Sequence, residues 1–226
     1  VPEGVGPDVR RSLRTPRHSK ASTLTDLPDI VFKSDVDVDL IDSMGSDVSI
    51  ARAAWVSNYG KDLSQDADRI PGLINFLMRD RHGTPFEHNS MTFYVQAPIF
   101  VFREIHRHRA GFSYNEMSGR YTQLPGEFYI PKANRPLVNV GTSANPKFEP
   151  GTPLQVRLVQ RLLPLVYSAT WKAYKTLLRF GIGNEVARLV LPVGIYSQMY
   201  MTFNLRAAFN FLALRTSNAE ATFPSN

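Results

Sequence analysis

Between Arg103 and Tyr121 the chain reads REIHRHRAGFSYNEMSGRY, nineteen residues that hold four Arg, two His, two Glu and two Ser. A fold must leave such a run at its surface or supply it with an anion, because closely spaced guanidiniums repel one another and resist burial. Phosphates are the natural counter-ions. Ala97-Pro98 followed by IFVFREIHRHR reads as a helix with Pro98 in its first turn and Gly111 at its end. Arg103 and Arg107 then lie four apart on one face, Glu104 and His108 on a neighbouring one, and Arg109 in the last turn. SYNEMSGR reads as a polar loop that presents hydroxyls, an amide and backbone N–H groups to a ligand. The alternative is a solvated basic helix face followed by a surface loop.

Around this stretch the pattern predicts an irregular alternation of helices and short strands. Residues 1–29, rich in Pro, Ser, Thr and basic side chains, read as a disordered tail, with a nucleic-acid or partner arm as the alternative. Val36–Ile41 alternates as a strand, and Gly45-Ser46-Asp47 supplies the N-cap of the helix SIARAAWVS. A second helix starts at Ile70-Pro71 and runs to Gly83 with Leu73, Phe76 and Leu77 on its buried side. Asn89–Gln96 and Glu127–Ile130 are predicted strands, and Lys132–Pro150 a surface loop. From Thr152-Pro153 an amphipathic segment runs to Phe180. Its interior Pro164 is expected to kink or divide it, and Leu154, Leu158, Leu162, Leu165 and Trp171 form a stripe assigned to the core. Asn184 is expected to cap EVARLVLP, where Arg188 stands among Val186, Leu189, Val190 and Leu191 and needs an anion or an ion pair if buried. Tyr196–Phe203 reads as a strand and Asn204–Arg215 as a helix, with Asn204, Ala208, Phe211 and Arg215 on one face and Arg206 and Asn210 on another. The expected class is α+β, helices packed around a small mixed or antiparallel sheet, as a single domain over residues 30–226.

Composition removes several alternatives. A chain of 226 residues with 43% hydrophobic content can bury a full core. No apolar stretch approaches the ~20 residues of a membrane span and the N-terminus has no apolar run, so a soluble cytoplasmic protein is expected. With no cysteine there is no disulfide, thiolate nucleophile or Cys-based zinc site. Half of the net charge of +6 lies in the first twenty residues, where Arg10, Arg11, Arg14, Arg17 and Lys20 outweigh Glu3 and Asp8 by three, and the mildly basic body makes a weak case for a nucleic-acid partner. His82, His88, His106 and His108 cluster in sequence, but the spacing of His82 and His88 fits no common zinc pattern, so no metal is expected and His88 reads as a hydrogen-bonded structural residue.

Arg107-His108-Arg109 and Asn115-Glu116-x-Ser118-Gly119-Arg120-Tyr121 resemble the signature of the flavin-dependent thymidylate synthases. Eight residues, Ala110 to Met117, stand where most of that family has seven, read as a loop lengthened near Gly111. The similarity runs from about Val36 to Phe223 and includes Thr84-Pro85-Phe86-Glu87-His88. It implies reductive methylation of dUMP to thymidylate, with methylenetetrahydrofolate as carbon donor, FAD as cofactor and NADPH as reductant, in a homotetramer whose active sites are shared between subunits. It also implies FAD contacts from Ser57, His82, Thr84, Glu87, Arg107, His108, Arg109, Glu116, Asn204, Arg206 and Asn210. Glu104, Arg107, Glu116, Ser118, Gly119, Arg120, Arg188 and Arg215 are the implied dUMP contacts. Arg215 and Ser118 are the candidate catalytic residues, Arg215 at the uracil edge and Ser118 either holding the nucleotide or acting as a nucleophile, a role for which no base is evident. Two positions depart from the family: Ala219 stands where a His is common, and the sequence stops at Asn226, short of a further long helix. The competing expectations are a flavin- or nucleic-acid-binding protein acting on uracil in RNA, and an inactive homologue.

Overall fold

The structure, a computed structural model, describes residues 30–60, 67–143 and 145–216. The predicted tail and the departures at Ala219 and Asn226 lie outside the described residues. Strand β1 (Val31–Lys33) is followed by β2 (Asp37–Met44), α1 (Asp47–Tyr59) and α2 (Ile70–Arg79). Next come β3 (Ser90–Pro98), α3 (Ile99–Ile105), β4 (Phe112–Glu116) and β5 (Glu127–Tyr129). The hairpin of β6 (Val138–Asn139) and β7 (Phe148–Glu149), α4 (Pro153–Arg179), α5 (Asn184–Ala187), β8 (Tyr196–Phe203) and α6 (Leu205–Arg215) complete the described chain.

The class is α+β. The main sheet is antiparallel in the order β2-β3-β8-β4, and β1 pairs in parallel with β5 beside it. Strand β3 passes directly into α3 at Pro98. The first amides of that helix, Ile99 and Phe100, donate to the carbonyls of Ile195 (2.9 Å) and Val193 (3.0 Å), so the approach to β8 satisfies donors that a capping side chain would otherwise take. Two main apolar clusters result. One lies where α4 meets β5 and the start of β8, around Phe128, Tyr167, Trp171, Tyr174 and Ile195. The other lies under α3, around Val95, Ala97, Phe102, Met199 and Met201. Phe128 is fully buried and stacks on Tyr167 at 4.9 Å, and burying a side chain of this size contributes about 1.5–3 kcal/mol. Among the described residues no helix is long and apolar enough to cross a membrane.

Several expectations are corrected. The Arg-rich helix ends at Ile105 rather than running on through Arg109, and of the segment read as a polar loop residues 113–116 belong to strand β4 while residues 117–120 are loop and turn. Tertiary pairing decides this: β8 offers an open edge, and Phe112–Glu116 completes it in register from Phe203 to Met199. Helix α4 runs unbroken through Pro164, starting from a reciprocal cap in which Thr152 Oγ1 accepts from Gln155 N and Gln155 Oε1 accepts from Thr152 N. Its core side is Tyr167, Trp171 and Tyr174. Leu154, Leu158, Leu162 and Leu165 lie on the opposite side of the helix and are exposed, Leu154 by 64% and Leu165 by 66%. Phe76 on α2 is exposed as well. The residue in the N-cap position of α5 is Gly183, not Asn184, because Asn184 already has helical backbone, and that helix is one turn long before it tightens over Arg188–Val190. His88 is exposed rather than a buried hydrogen-bonded residue.

Candidate functional site

The chain reverses between α3 and β4, and one tyrosine holds the reversal. The Tyr114 hydroxyl lies 3.0 Å from Ile105 O and 2.5 Å from His108 O and donates towards both. Burial pushes its pKa up to about 12, so it stays a donor across the physiological range. Gly111 has φ +75°, and a Cβ there would stand 2.9 Å from Ala207 Cβ on α6, so the turn needs glycine both for its backbone and for its closeness to α6.

That reversal lays His108 and Glu104 against the C-terminal end of α6. Arg215 Nε donates to His108 Nε2 at 2.9 Å, while its Nη1 donates to Glu104 Oε2 at 3.3 Å and its Nη2 to Glu104 O at 3.2 Å. An imidazole nitrogen that accepts carries no proton, which assigns His108 as neutral with its proton on Nδ1. Burial, and then the charge of Arg215, lowers its pKa below the ordinary value, in agreement with that assignment. Phe211 packs edge-on to the ring at 4.7 Å. Arg107 and Arg109 flank this group at the surface, and among the described residues neither makes an ion pair.

At the far end of β4 a cleft of about 310 Å³ opens, a volume at the lower bound of small-ligand pockets. Its polar lining is Glu116, Ser118, Gly119, Arg188 and Ser197; Ile99, Leu124, Leu191 and Ile195 are among its apolar walls. Gly119 is buried, and a Cβ on it would stand in ordinary contact, 3.4 Å, with Arg188 Cδ and Leu124 Cγ. Arg188 is half-buried and among the described residues has no carboxylate partner. Ser118 Oγ accepts from Arg120 N at 3.3 Å, and among the described residues no base bonds to it. Arg120 points its guanidinium at Glu185, 3.1 Å away on the surface.

A third group gathers at the N-terminal end of α6. Arg206 pairs with Glu87, and a Cβ on Gly83 would meet Arg206 Nε at 2.8 Å, so this arginine lies across the backbone that leads into the Thr84–Glu87 turn. His82 stacks on Phe76 at 5.6 Å. Asn204 Oδ1 caps α6 by accepting from Ala207 N at 2.9 Å, and Asn210 is exposed. Ser57 donates to Ala54 O at 2.8 Å near the end of α1.

Within one chain, then, the cleft gathers Glu116, Ser118, Gly119 and Arg188, while Glu104, His108 and Arg215 form a separate cluster. Phe112–Glu116 lies between the two, roughly 13 Å of strand at about 3.3 Å per residue. Arg206 and Arg215 are nine residues apart on α6, roughly 14 Å at about 1.5 Å per residue. Arg107, Arg109, Arg120 and Ser57 join none of the three groups. Among the described residues no three His, Asp or Glu side chains are arranged to hold a metal. Sequence reasoning missed Ser197. Its signal is a hydroxyl on the inward face of β8, where Ile195, Met199 and Met201 are its apolar neighbours.

Residues 39–222 match the family model described as thymidylate synthase complementing protein. A flavin-dependent thymidylate synthase of Streptomyces coelicolor is 50% identical over 204 residues, covering 88% of this chain and 83% of that one. Another from Thermotoga neapolitana is 42% identical over 181 residues, covering 80% and 76%. Among solved structures, a UMP/dUMP methylase, PolB, from Streptomyces cacaoi bound with 5-Br UMP superposes with a TM-score of 0.78 at 43% identity, covering 88% of this chain and 84% of that chain. The same methylase bound with 5-Br dUMP also gives 0.78, at 44% identity, covering 87% and 85%.

Proposed function

The chain belongs to the flavin-dependent thymidylate synthase family, and on that premise we propose that it converts dUMP to thymidylate by reductive methylation. FAD is the flavin, NADPH the reductant and methylenetetrahydrofolate the carbon donor, and the enzyme works as a homotetramer in the cytoplasm. The observation that carries this reading is the cleft. It collects Glu116, Ser118 and Gly119 of the signature beside Arg188, which has no ion pair among the described residues, in a fold shared with a UMP/dUMP methylase bound with 5-Br dUMP.

The donors of this cleft suit a phosphomonoester. Arg188 and Ser118 hold the phosphate, Gly119 leaves room for it, and Arg120 exchanges its surface pairing with Glu185 for the nucleotide. Arg215, held by His108 and Glu104, meets the uracil edge of a nucleotide, where a guanidinium stabilises negative charge on N3 and O4 and makes C5 a better nucleophile. No cysteine is needed to activate the ring. Arg107 assists Glu104 at the substrate, and since these residues stand apart from the cleft within one chain, the complete site draws on neighbouring subunits.

The described residues fit a flavin nucleotide in charge. Arg107 and Arg109 are exposed cations with no ion pair among the described residues, which a pyrophosphate would neutralise, and His108 stands between them in sequence. Ser57, His82, Thr84, Glu87, Glu116, Asn204, Arg206 and Asn210 supply the remaining polar contacts in this assignment. When bound, the flavin supplies the hydride, while the protein supplies position and electric field.

The first test is the visible spectrum of the purified protein, followed without oxygen by NADPH alone, with dUMP, and with UMP. Flavin bands that bleach faster in the presence of dUMP are expected. UMP is included because the related methylase is seen with both 5-Br UMP and 5-Br dUMP. Equal acceleration by UMP would widen the substrate class, and a protein that takes up no FAD would sink the assignment.

A further inference from the structure

We propose that the hydroxyl of Ser197 is a ligand-binding group of the cleft, donating a hydrogen bond to the phosphate of the bound nucleotide; this rests on the reading above that a nucleoside monophosphate occupies the cleft. Ser197 is wholly buried, and its Oγ has no hydrogen-bond partner among the described residues. Of the buried side-chain donors left without a bond, it alone lines the cleft. Such orphans are uncommon, since a buried hydroxyl gives up its bonds to water and normally gains others within the protein.

Position gives the hydroxyl its meaning. On the inward face of β8 its neighbours are Ile195, Met199 and Met201, all buried, so packing alone would favour an apolar side chain there. Ser197 stands opposite Ala97 on β3, and the next residue's carbonyl, Gln198 O, accepts from Met117 N at 2.8 Å. The strand is thereby fixed against the segment that carries Ser118 and Gly119. The residues that line the cleft then include three with side-chain donors, Arg188, Ser118 and the buried Ser197, against the one carboxylate of Glu116. A donor-rich lining with a guanidinium that has no ion pair among the described residues matches phosphate oxygens, which accept several hydrogen bonds at once.

The test compares the purified protein with Ser197→Ala, measuring dUMP affinity by calorimetry, competition by inorganic phosphate, and Tm without ligand. The alanine variant should bind dUMP and inorganic phosphate roughly tenfold to a hundredfold more weakly, the range for a hydrogen bond to a charged group. Its ligand-free Tm should be unchanged or higher, because an unpartnered hydroxyl has been removed. Unchanged dUMP affinity overturns the proposal and leaves the synthase assignment standing. Weaker dUMP binding with undiminished phosphate competition moves the contact to sugar or base and overturns the phosphate assignment. If the alanine variant does not fold, Ser197→Cys, which keeps the size and offers only a weak donor, should show the same loss in smaller measure. Should dUMP fail to bind while another nucleoside monophosphate binds with the same dependence on Ser197, the dUMP reading falls and Ser197 stands; binding of no nucleoside monophosphate sinks both.

Discussion

An imidazole nitrogen can accept the Nε–H of Arg215 only while it carries no proton, and His108 is therefore a pH-sensitive support for the residue proposed to meet the uracil. The charged groups facing its ring are the Arg215 guanidinium and, through that guanidinium, the Glu104 carboxylate. Burial lowers the pKa of His108 from 6.5. Above that value the ring is neutral in both folded and unfolded chains, and its contribution to stability is fully present. As pH falls through the lowered folded value, the unfolded chain has already taken up the proton and the contribution is lost. Thymidylate formation should fall along the same acid limb, since protonation releases Arg215. His108→Gln keeps an acceptor that cannot protonate, so its pH–rate profile should lose much of that limb while the plateau rate drops by roughly tenfold or less, the worth of one hydrogen bond. An unchanged acid limb in the glutamine variant would assign it to another group. The residue types at this centre were legible in the Arg-His-Arg run, because chemistry is written in side chains. That Arg215 would meet His108 and Glu104 was not, because the contact joins positions more than a hundred residues apart.

Leucines four apart on a helix state that a face is apolar but not what covers it. On α4 the Leu154, Leu158, Leu162 and Leu165 face reads from the sequence as core, yet the core side carries Tyr167, Trp171 and Tyr174, and the leucine face is exposed. A helix apolar on two opposite sides needs two partners, and the described chain provides one. Strand β2 adds a second uncovered apolar surface with Val38, Leu40 and Ile41, each more than half exposed. The reading of β4 as a loop failed for a related reason: Ser113 and Asn115 look like turn residues, but β8 needed a neighbour. If the leucine face is a subunit contact, Leu158→Glu with Leu165→Glu places two charges in it and forfeits about 1.5–3 kcal/mol of burial per leucine. Sedimentation velocity should then show a smaller species than the unsubstituted protein, with the far-UV circular dichroism of the two alike. A variant that sediments like the parent would mean that the face stays open to solvent in the assembly.

Across the whole molecule the proposed functional groups occupy three places: the cleft, the Arg215 cluster and the Glu87–Arg206 end of α6. The spans between them are fixed by elements that cannot shorten, since β4 and α6 are held by pairing and packing. On the proposal that the sites are shared between subunits, a neighbouring chain supplies Arg215 to the nucleotide in this cleft without any internal change. The same holds for Arg107 and Arg109, which are exposed on one chain and would be enclosed by another. Flavin retention should then be linked to assembly, because a ligand that spans two subunits binds the assembled form and stabilises it in turn. On serial dilution of the purified protein, release of flavin, followed by its fluorescence, should occur over the same concentration range in which sedimentation shows dissociation, and added dUMP should move both to lower protein concentration. The leucine-face variant, if smaller, should emerge from purification with little flavin and regain it only at high protein concentration. Flavin that stays on a dissociated chain would place the whole cofactor site within one subunit and leave assembly to serve the substrate alone.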